Sequence, residues 1–107
     1  MNLKSISAQE LKSRLESGEQ IQVIDVREPY EYSWENLGAL NIPMGDILER
    51  VEELPIDGIV VVHCQSGQRA TAVCEALERL HKRINIYNLD GGYQAWLDVM
   101  GKSQISL

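Results

Sequence analysis

The stretch that decides the fold reads IVVVHCQSGQRA and covers residues 59–70. It begins with an apolar run rich in valine, which is typical of a buried strand in a parallel sheet. The run stops at Cys64, and a short polar loop containing Gly67 then leads into an amphipathic helical pattern. Open α/β sheets bind ligands at the carboxyl ends of their strands. This order therefore places the Cys64 thiol where a ligand site is expected.

The polar loop after Cys64 favours negative charge at its centre. The amides of a tight loop and the N-terminus of the following helix both present N–H groups to this position. A cysteine there is stabilised as the thiolate, which is its nucleophilic form. Free cysteine is also among the most buried residue types, so a structural thiol is the alternative for Cys64. The strand–cysteine–loop–helix order favours the nucleophile.

Helical patterns occur on both sides of this stretch. Ser7 and Glu10 form a capping box that predicts the start of a first helix, and Gly18 ends it. Pro29 suits the first position of a short helical turn within residues 27–34. Apolar residues at helical spacing predict three further helices, over residues 46–54, 70–80 and 93–100.

Strands are predicted between these helices. They cover residues 21–26, 39–42, 59–63 and 84–89. Regular alternation of strands and helices predicts an α/β fold in which helices cover both faces of a parallel sheet. A length of 107 residues predicts one domain over residues 1–107.

Composition and charge exclude several classes of partner. The net charge of −6 argues against a nucleic acid or an anionic membrane. The N-terminus lacks the apolar segment of a signal peptide, and no apolar run approaches the roughly 20 residues of a membrane span. We therefore expect a cytoplasmic protein without a nucleic-acid or membrane partner.

The two cysteines do not indicate a disulfide framework or a metal site. Cys64 and Cys74 are ten residues apart, and only His63 and His81 add further soft ligands. This spacing does not match a zinc site, so no metal is expected. A free, reduced thiol is the consistent interpretation.

Several other residues are expected to have structural roles. Cys74 falls at helical spacing with apolar neighbours, which predicts a core position. His63 should point to the opposite face of the sheet from Cys64, because adjacent strand residues alternate, so it cannot easily act as a base for that thiol. Gly91 and Gly92 are expected to provide positive φ or close backbone approach. Packing is expected for the aromatic residues Tyr30, Trp34, Tyr93 and Trp96.

Three charged residues are candidates for the edge of the sheet where Cys64 lies. Arg69 stands near a helix N-terminus, where a cation opposes the helix dipole. This small penalty suggests that Arg69 is held there for an anion or an acidic partner. Asp25 and Arg27 end a parallel strand at the same edge, where we expect them to shape the cysteine loop from outside.

Four motifs together resemble a rhodanese domain of the small, single-domain bacterial type, over nearly the whole chain. In order, they are Asp25-Val26-Arg27-Glu28, Gly38-Ala39 with Asn41-Ile42-Pro43, the loop of residues 64–70, and Leu89-Asp90-Gly91-Gly92 with Ala95-Trp96. The resemblance implies a five-stranded parallel sheet and a thiosulfate sulfurtransferase activity. It implies no cofactor.

The resemblance also assigns roles to the loop. Cys64 would take a sulfane sulfur from a small donor such as thiosulfate, carry it as a persulfide, and release it to a thiophilic acceptor. The resemblance also implies that the amides of the loop after Cys64 bind this sulfur. The substrate-binding residues would be Gln65, Ser66, Gly67, Gln68 and Arg69.

The segment Trp34-Glu35-Asn36-Leu37 before Gly38-Ala39 resembles the rhodanese modules of sulfur-carrier adenylating enzymes. This variant points to a second kind of partner, a sulfur-carrier or persulfide-donor protein. A protein-to-protein persulfide relay, with thiosulfate only a surrogate donor, is therefore one alternative function. A noncatalytic rhodanese-like interaction module is another, although such modules commonly lack the cysteine that is present here.

Loop length weighs against a third alternative, a phosphatase. Cys64 and Arg69 bound a Cys-x4-Arg loop. The related cell-cycle phosphatases and arsenate reductases carry one residue more, in a loop wide enough for a tetrahedral oxyanion. The shorter loop predicts sulfur transfer.

Overall fold

A computed structural model of the chain describes residues 3–101. Its centre is a five-stranded, wholly parallel sheet with the strand order β1-β5-β4-β2-β3. The strands are β1 (Ser5–Ile6), β2 (Ile21–Asp25), β3 (Leu40–Asn41), β4 (Ile59–His63) and β5 (Ile86–Leu89). The helices are α1 (Ala8–Glu16), α2 (Pro29–Trp34), α3 (Gln68–His81) and α4 (Gly92–Met100), with a 3-10 helix at Val51–Glu53.

Helices cover both faces of the sheet, as predicted. On one face, α3 and the segment 44–54 pack on Val60 and Val62 of β4. On the other face, α1 and α4 pack on Val61 of the same strand. Both faces of β4 are buried, which is why its sequence is a continuous apolar run rather than an alternating one. The α/β class and the five-stranded parallel sheet are confirmed.

Residues next to its two ends determine where the first helix begins and stops. The Ser7 hydroxyl accepts a hydrogen bond from the Glu10 amide at 3.0 Å, so Ser7 is the N-cap of α1. Gly18 has a φ of +88° and follows the C-cap Ser17, as a residue just past a helix end often does. The predicted start and end of α1 are confirmed.

The strands are shorter than the apolar runs that predict them, and one has no counterpart among the strands predicted from the residues. β3 contains only Leu40 and Asn41, and β5 begins at Ile86 rather than at residue 84. β1 contains two residues, with Ile6 opposite Leu89 of β5. Two residues show no periodicity, so only the family resemblance implied this fifth strand.

The predicted helix over residues 46–54 is wrong. Residues 44–50 form successive turns, and only Val51–Glu53 is helical, in the tighter 3-10 form. The Arg83 guanidinium lies across the end of this segment and donates hydrogen bonds to three of its backbone carbonyls, those of Val51, Leu54 and Pro55. These contacts come from a distant part of the chain, so local periodicity could not predict them.

Leu80 is a second correction. It is the last apolar residue at helical spacing in the predicted helix over residues 70–80, but it is exposed at the end of α3. The buried stripe of α3 stops at Leu77. None of the helices between residues 3 and 101 has the length and apolar character that crossing a membrane requires.

Candidate active site

Cys64 follows the last residue of β4, on the face of the sheet that α3 covers. Its side chain is 1 % exposed. The Sγ atom accepts hydrogen bonds from two backbone amides, that of Gly67 at 3.1 Å and that of Ala70 at 3.4 Å. The thiol therefore lies inside the loop that follows it, against the N-terminus of α3.

The same loop contains further N–H groups that the rest of the chain does not use. The amides of Gln65, Ser66, Gln68 and Arg69 make no hydrogen bond to any residue within 3–101. The last two belong to the first turn of α3, whose amides have no partner within the helix. Unpaired amides and the helix dipole both favour an anion at this place.

Helix α4 contacts the loop on the side opposite the thiol. The amide of Tyr93 donates to the carbonyl oxygen of Cys64 at 2.8 Å, and the amide of Gln94 donates to that of Gln65 at 3.2 Å. In a trans peptide the N–H points opposite to the C=O. Because these two carbonyls point towards α4, the amides of Gln65 and Ser66 point away from it, towards the face that carries the thiol.

Gly92 makes this arrangement possible. Its φ is +58°, and a Cβ atom added there would lie 2.4 Å from the carbonyl oxygen of Cys64. Any side chain at position 92 would therefore push α4 away from the loop. The predicted role of Gly91 and Gly92 in positive φ and close approach is confirmed, since Gly91 also has a positive φ, +74°.

Asp25 and Arg27 form a buried ion pair that reaches the loop. The Arg27 Nη2 atom lies 2.9 Å from Asp25 Oδ2, and its Nη1 atom donates to the side-chain oxygen of Gln65 at 3.1 Å. The guanidinium also lies over the ring of Tyr93, 4.8 Å from its centroid. Arg27 thus touches the first loop residue from outside, and Asp25 orients Arg27.

Arg69 binds an acidic partner within the chain. Its guanidinium donates to both carboxylate oxygens of Glu31 on α2, at 2.7 and 3.0 Å. This contact with Arg69 holds the pKa of Glu31 at about 2, below its ordinary value of 4.5. The same carboxylate accepts the amide of Glu28 at 2.9 Å, which fixes it to the start of α2. No ligand is needed to explain the position of Arg69.

His63 lies on the opposite face of the sheet from Cys64. Its Nε2 atom is 3.6 Å from Asp25 Oδ2, and its ring stacks on that of Tyr93 with centroids 6.5 Å apart. Burial lowers the pKa of His63, which favours the neutral ring. This position agrees with the structural role expected for His63.

The surroundings of Cys74 differ from those of Cys64. It is buried among the apolar residues of α3, and burial raises its pKa to about 12. At neutral pH it is a protonated, unreactive core residue, as its helical spacing predicts.

A cleft of about 630 Å³ opens beside the loop. Its lining includes Arg27, Glu31, Trp34, Glu35 and Gln65. Trp34 is 76 % exposed and makes an edge-to-face contact with Tyr30, which is 60 % exposed, at 5.4 Å between centroids. The expected packing places Tyr93 and Trp96 in the core, whereas Tyr30 and Trp34 pack on each other at the surface.

Two parts of the site were missing from the sequence interpretation. Ala70 donates to Cys64 Sγ although the predicted loop stopped at Arg69. Its amide belongs to the first turn of α3, so the general rule of unpaired N-terminal amides could have indicated it. Glu31 is 38 residues from Arg69 in sequence, and no local signal predicts that pair.

Residues 3–101 contain no group of three or more His, Cys, Asp or Glu side chains able to hold a metal ion.

Comparison with known protein families identifies a strong likeness. A model of the Rhodanese-like domain matches residues 7–98. The putative sulfurtransferase YtwF of Bacillus subtilis is 38 % identical over 97 residues, which cover 90 % of this chain and 92 % of that protein. The probable adenylyltransferase/sulfurtransferase MoeZ of Mycobacterium tuberculosis is 32 % identical over 90 % of this chain but only 25 % of its own length.

Solved structures show the same likeness. The crystal structure of a rhodanese-like domain protein from Staphylococcus aureus superposes with a TM-score of 0.80 at 33 % identity, covering 88 % of this chain and 91 % of that one. The sheet order and the helices on both faces are therefore those of a fold already observed by experiment.

The contact between α4 and the loop predicts an unusual sensitivity at Gly92. Gly92→Ala should lower the free energy of unfolding by at least about 2 kcal/mol, because the added Cβ meets the Cys64 carbonyl. Gly18→Ala is the matched control, since Gly18 also has a positive φ but nothing lies within 4 Å of an added Cβ. It should cost only about 1 kcal/mol, the backbone strain alone. Urea unfolding measures both, and equal costs would contradict the close approach.

The pair of Glu31 and Arg69 predicts a dependence of stability on pH. The folded pKa of Glu31 is below the unfolded value, so its contribution is present above pH 4.5 and is lost as the pH falls towards 2. At about pH 6 the wild type should be more stable than Glu31→Gln by about 1 kcal/mol, because solvent screens this partly exposed pair. Urea unfolding near pH 3 should show a smaller difference. A difference that persists unchanged in acid would contradict the pairing.

Proposed function

Because the chain belongs to the rhodanese-like domain family, we propose that it is a sulfurtransferase that carries a sulfane sulfur as a persulfide on Cys64. The observation that carries this proposal is the set of amides around the thiol. Two of them bind Sγ, and those of Gln65, Ser66, Gln68 and Arg69 are unpaired. A thiolate and a persulfide are both sulfur anions, so one cradle of donors can stabilise each in turn.

In the first step the Cys64 thiolate attacks the outer sulfur of the donor. With thiosulfate, a bond forms between Sγ and that sulfur, the S–S bond of thiosulfate breaks, and sulfite leaves with the electron pair. Cys64 then carries the persulfide anion. The total charge is the same on both sides, so the loop meets one sulfur anion before the step and one after it.

In the second step a thiophilic acceptor attacks the terminal sulfur of the persulfide. The bond from that sulfur to Sγ breaks, and Cys64 returns as the thiolate. We assign the amides of Gln65, Ser66, Gly67, Gln68 and Arg69, with that of Ala70, to the terminal sulfur. No proton moves in either step when donor and acceptor are anions, so the cycle needs no general base.

Asp25 and Arg27 are positioning residues in this proposal. Their buried ion pair supports Gln65, whose carbonyl also meets α4. The loop is therefore fixed on two sides before a donor arrives, and the amides need no reorganisation during transfer.

A protein-to-protein persulfide relay is the second candidate. The name of MoeZ, in which a similar domain is part of an adenylyltransferase/sulfurtransferase, supports a protein partner as donor or acceptor. A noncatalytic interaction module is less consistent with the chain, because the cysteine and its donors are intact. For either sulfur-transfer function we propose a reducing, cytoplasmic location, which keeps both thiols free.

The proposal predicts where the transferred sulfur resides. Protein treated with thiosulfate should gain the mass of one sulfur atom on Cys64, and cyanide should discharge it as thiocyanate. Cys74→Ala should retain the adduct and Cys64→Ser should lose it, because the Cys74 thiol stays protonated at neutral pH. Intact-mass and peptide mass spectrometry locate the sulfur.

An adduct on Cys74, or on neither residue, would contradict this assignment. The same preparations should hydrolyse aryl phosphates no faster than the buffer does. Phosphatase activity that disappears in Cys64→Ser would instead support the phosphatase alternative.

A further inference from the structure

We propose that Glu31 determines donor specificity: by occupying the guanidinium of Arg69, it makes the site favour sulfur donors of low negative charge over dianions such as thiosulfate. The donor class indicated is the persulfide of a thiol. This inference rests on the proposed function and names the substrate class of the same site.

The first argument is that both arginines at the loop are already paired. Arg69 uses Nη1 and Nη2 on the two oxygens of Glu31. Arg27 uses its Nε and Nη2 atoms on Asp25, its Nη1 atom on Gln65, and Nη2 again on the carbonyl of Glu35. Each guanidinium charge is thus already balanced by a carboxylate, and an oxyanion arriving from the cleft would have to compete with that partner.

The second argument is the balance of charge around the cleft. Glu31 and Glu35 line it, and Asp25 lies behind Arg27, so three carboxylates face two guanidiniums. The whole chain, these groups included, carries a net charge of −6. A dianion is repelled by such a surface more strongly than a monoanion or a neutral donor, and a site built to attract dianions would carry the opposite balance.

The third argument is that Glu31 is fixed in place. Its carboxylate accepts both the guanidinium of Arg69 and the amide of Glu28, and its side chain is only 17 % exposed. Its low pKa keeps it ionised throughout the neutral range. The negative charge beside the loop is therefore a permanent part of the site rather than one orientation of a mobile surface side chain.

Two small donors test this inference because they differ by one charge and react in the same way. Thiosulfate is a dianion that releases sulfite, and methanethiosulfonate is a monoanion that releases methanesulfinate. The measured quantity is the second-order rate constant of Cys64 persulfide formation with each donor, followed by mass spectrometry. The ratio of the thiosulfate constant to the methanethiosulfonate constant isolates the response to charge.

Glu31→Gln is the decisive variant. The glutamine oxygen can still accept the Glu28 amide, but the side chain has no charge and cannot hold both arms of the Arg69 guanidinium. We expect the ratio to rise about tenfold, the effect of one charge a few ångströms from the donor in partly solvated surroundings. Glu35→Gln, on the same cleft, should raise the ratio by a smaller factor and leaves the contact between Glu28 and Glu31 at the start of α2 in place.

Glu16→Gln is the matched control. It removes the same charge at the end of α1, which runs from the carboxyl edge of the sheet to the opposite edge, so its ratio should equal that of the wild type. A ratio in Glu31→Gln and Glu35→Gln that stays at the control value would overturn the inference while leaving sulfur transfer intact. Failure of both donors to persulfidate Cys64 in the wild type would overturn the proposed function itself.

Discussion

The hydrogen bonds between the start of α4 and the carbonyls of Cys64 and Gln65 are the constraint on which the site depends. They satisfy two amides of a helix N-terminus that would otherwise lack partners. They also set the direction of the peptide planes, so that the next N–H groups face the thiol side. Gly92 allows this approach because glycine has no Cβ atom, and a Cβ at this position would collide with the Cys64 carbonyl. Backbone geometry therefore directs these amides towards the thiol.

Two ion pairs extend this constraint to the rest of the carboxyl edge of the sheet. One, between Asp25 and Arg27, is buried and supports the loop at its first residue. The other, between Glu31 and Arg69, joins α2 to the start of α3 and remains partly solvated. Buried pairs mainly orient their neighbours, because desolvation offsets much of their attraction. In our proposal, the partly solvated pair instead sets the charge that an arriving donor meets.

The sequence predicted what depends on local pattern and on apolar burial. The valine-rich strand before Cys64, the amphipathic helix after it and the glycine pair of α4 follow from steric and periodic rules that act over a few residues. The segment 44–54 and the pair of Glu31 with Arg69 depend on contacts across 29 to 38 positions of the chain. Local sequence patterns carry no information about such distant contacts, so these features could not be predicted from the sequence.

If backbone amides around Cys64 hold the sulfur anion, as we propose, loading the sulfur must change their NMR signals. A ¹H–¹⁵N spectrum of the labelled protein would be recorded before and after persulfide formation, with Leu11 of α1 as a remote reference. We expect the amide signals of Gln65, Ser66, Gln68 and Arg69 to shift most, because these amides have no partner in the resting protein and gain the terminal sulfur as one. A persulfide confirmed by mass that leaves all four signals unchanged would contradict the proposal.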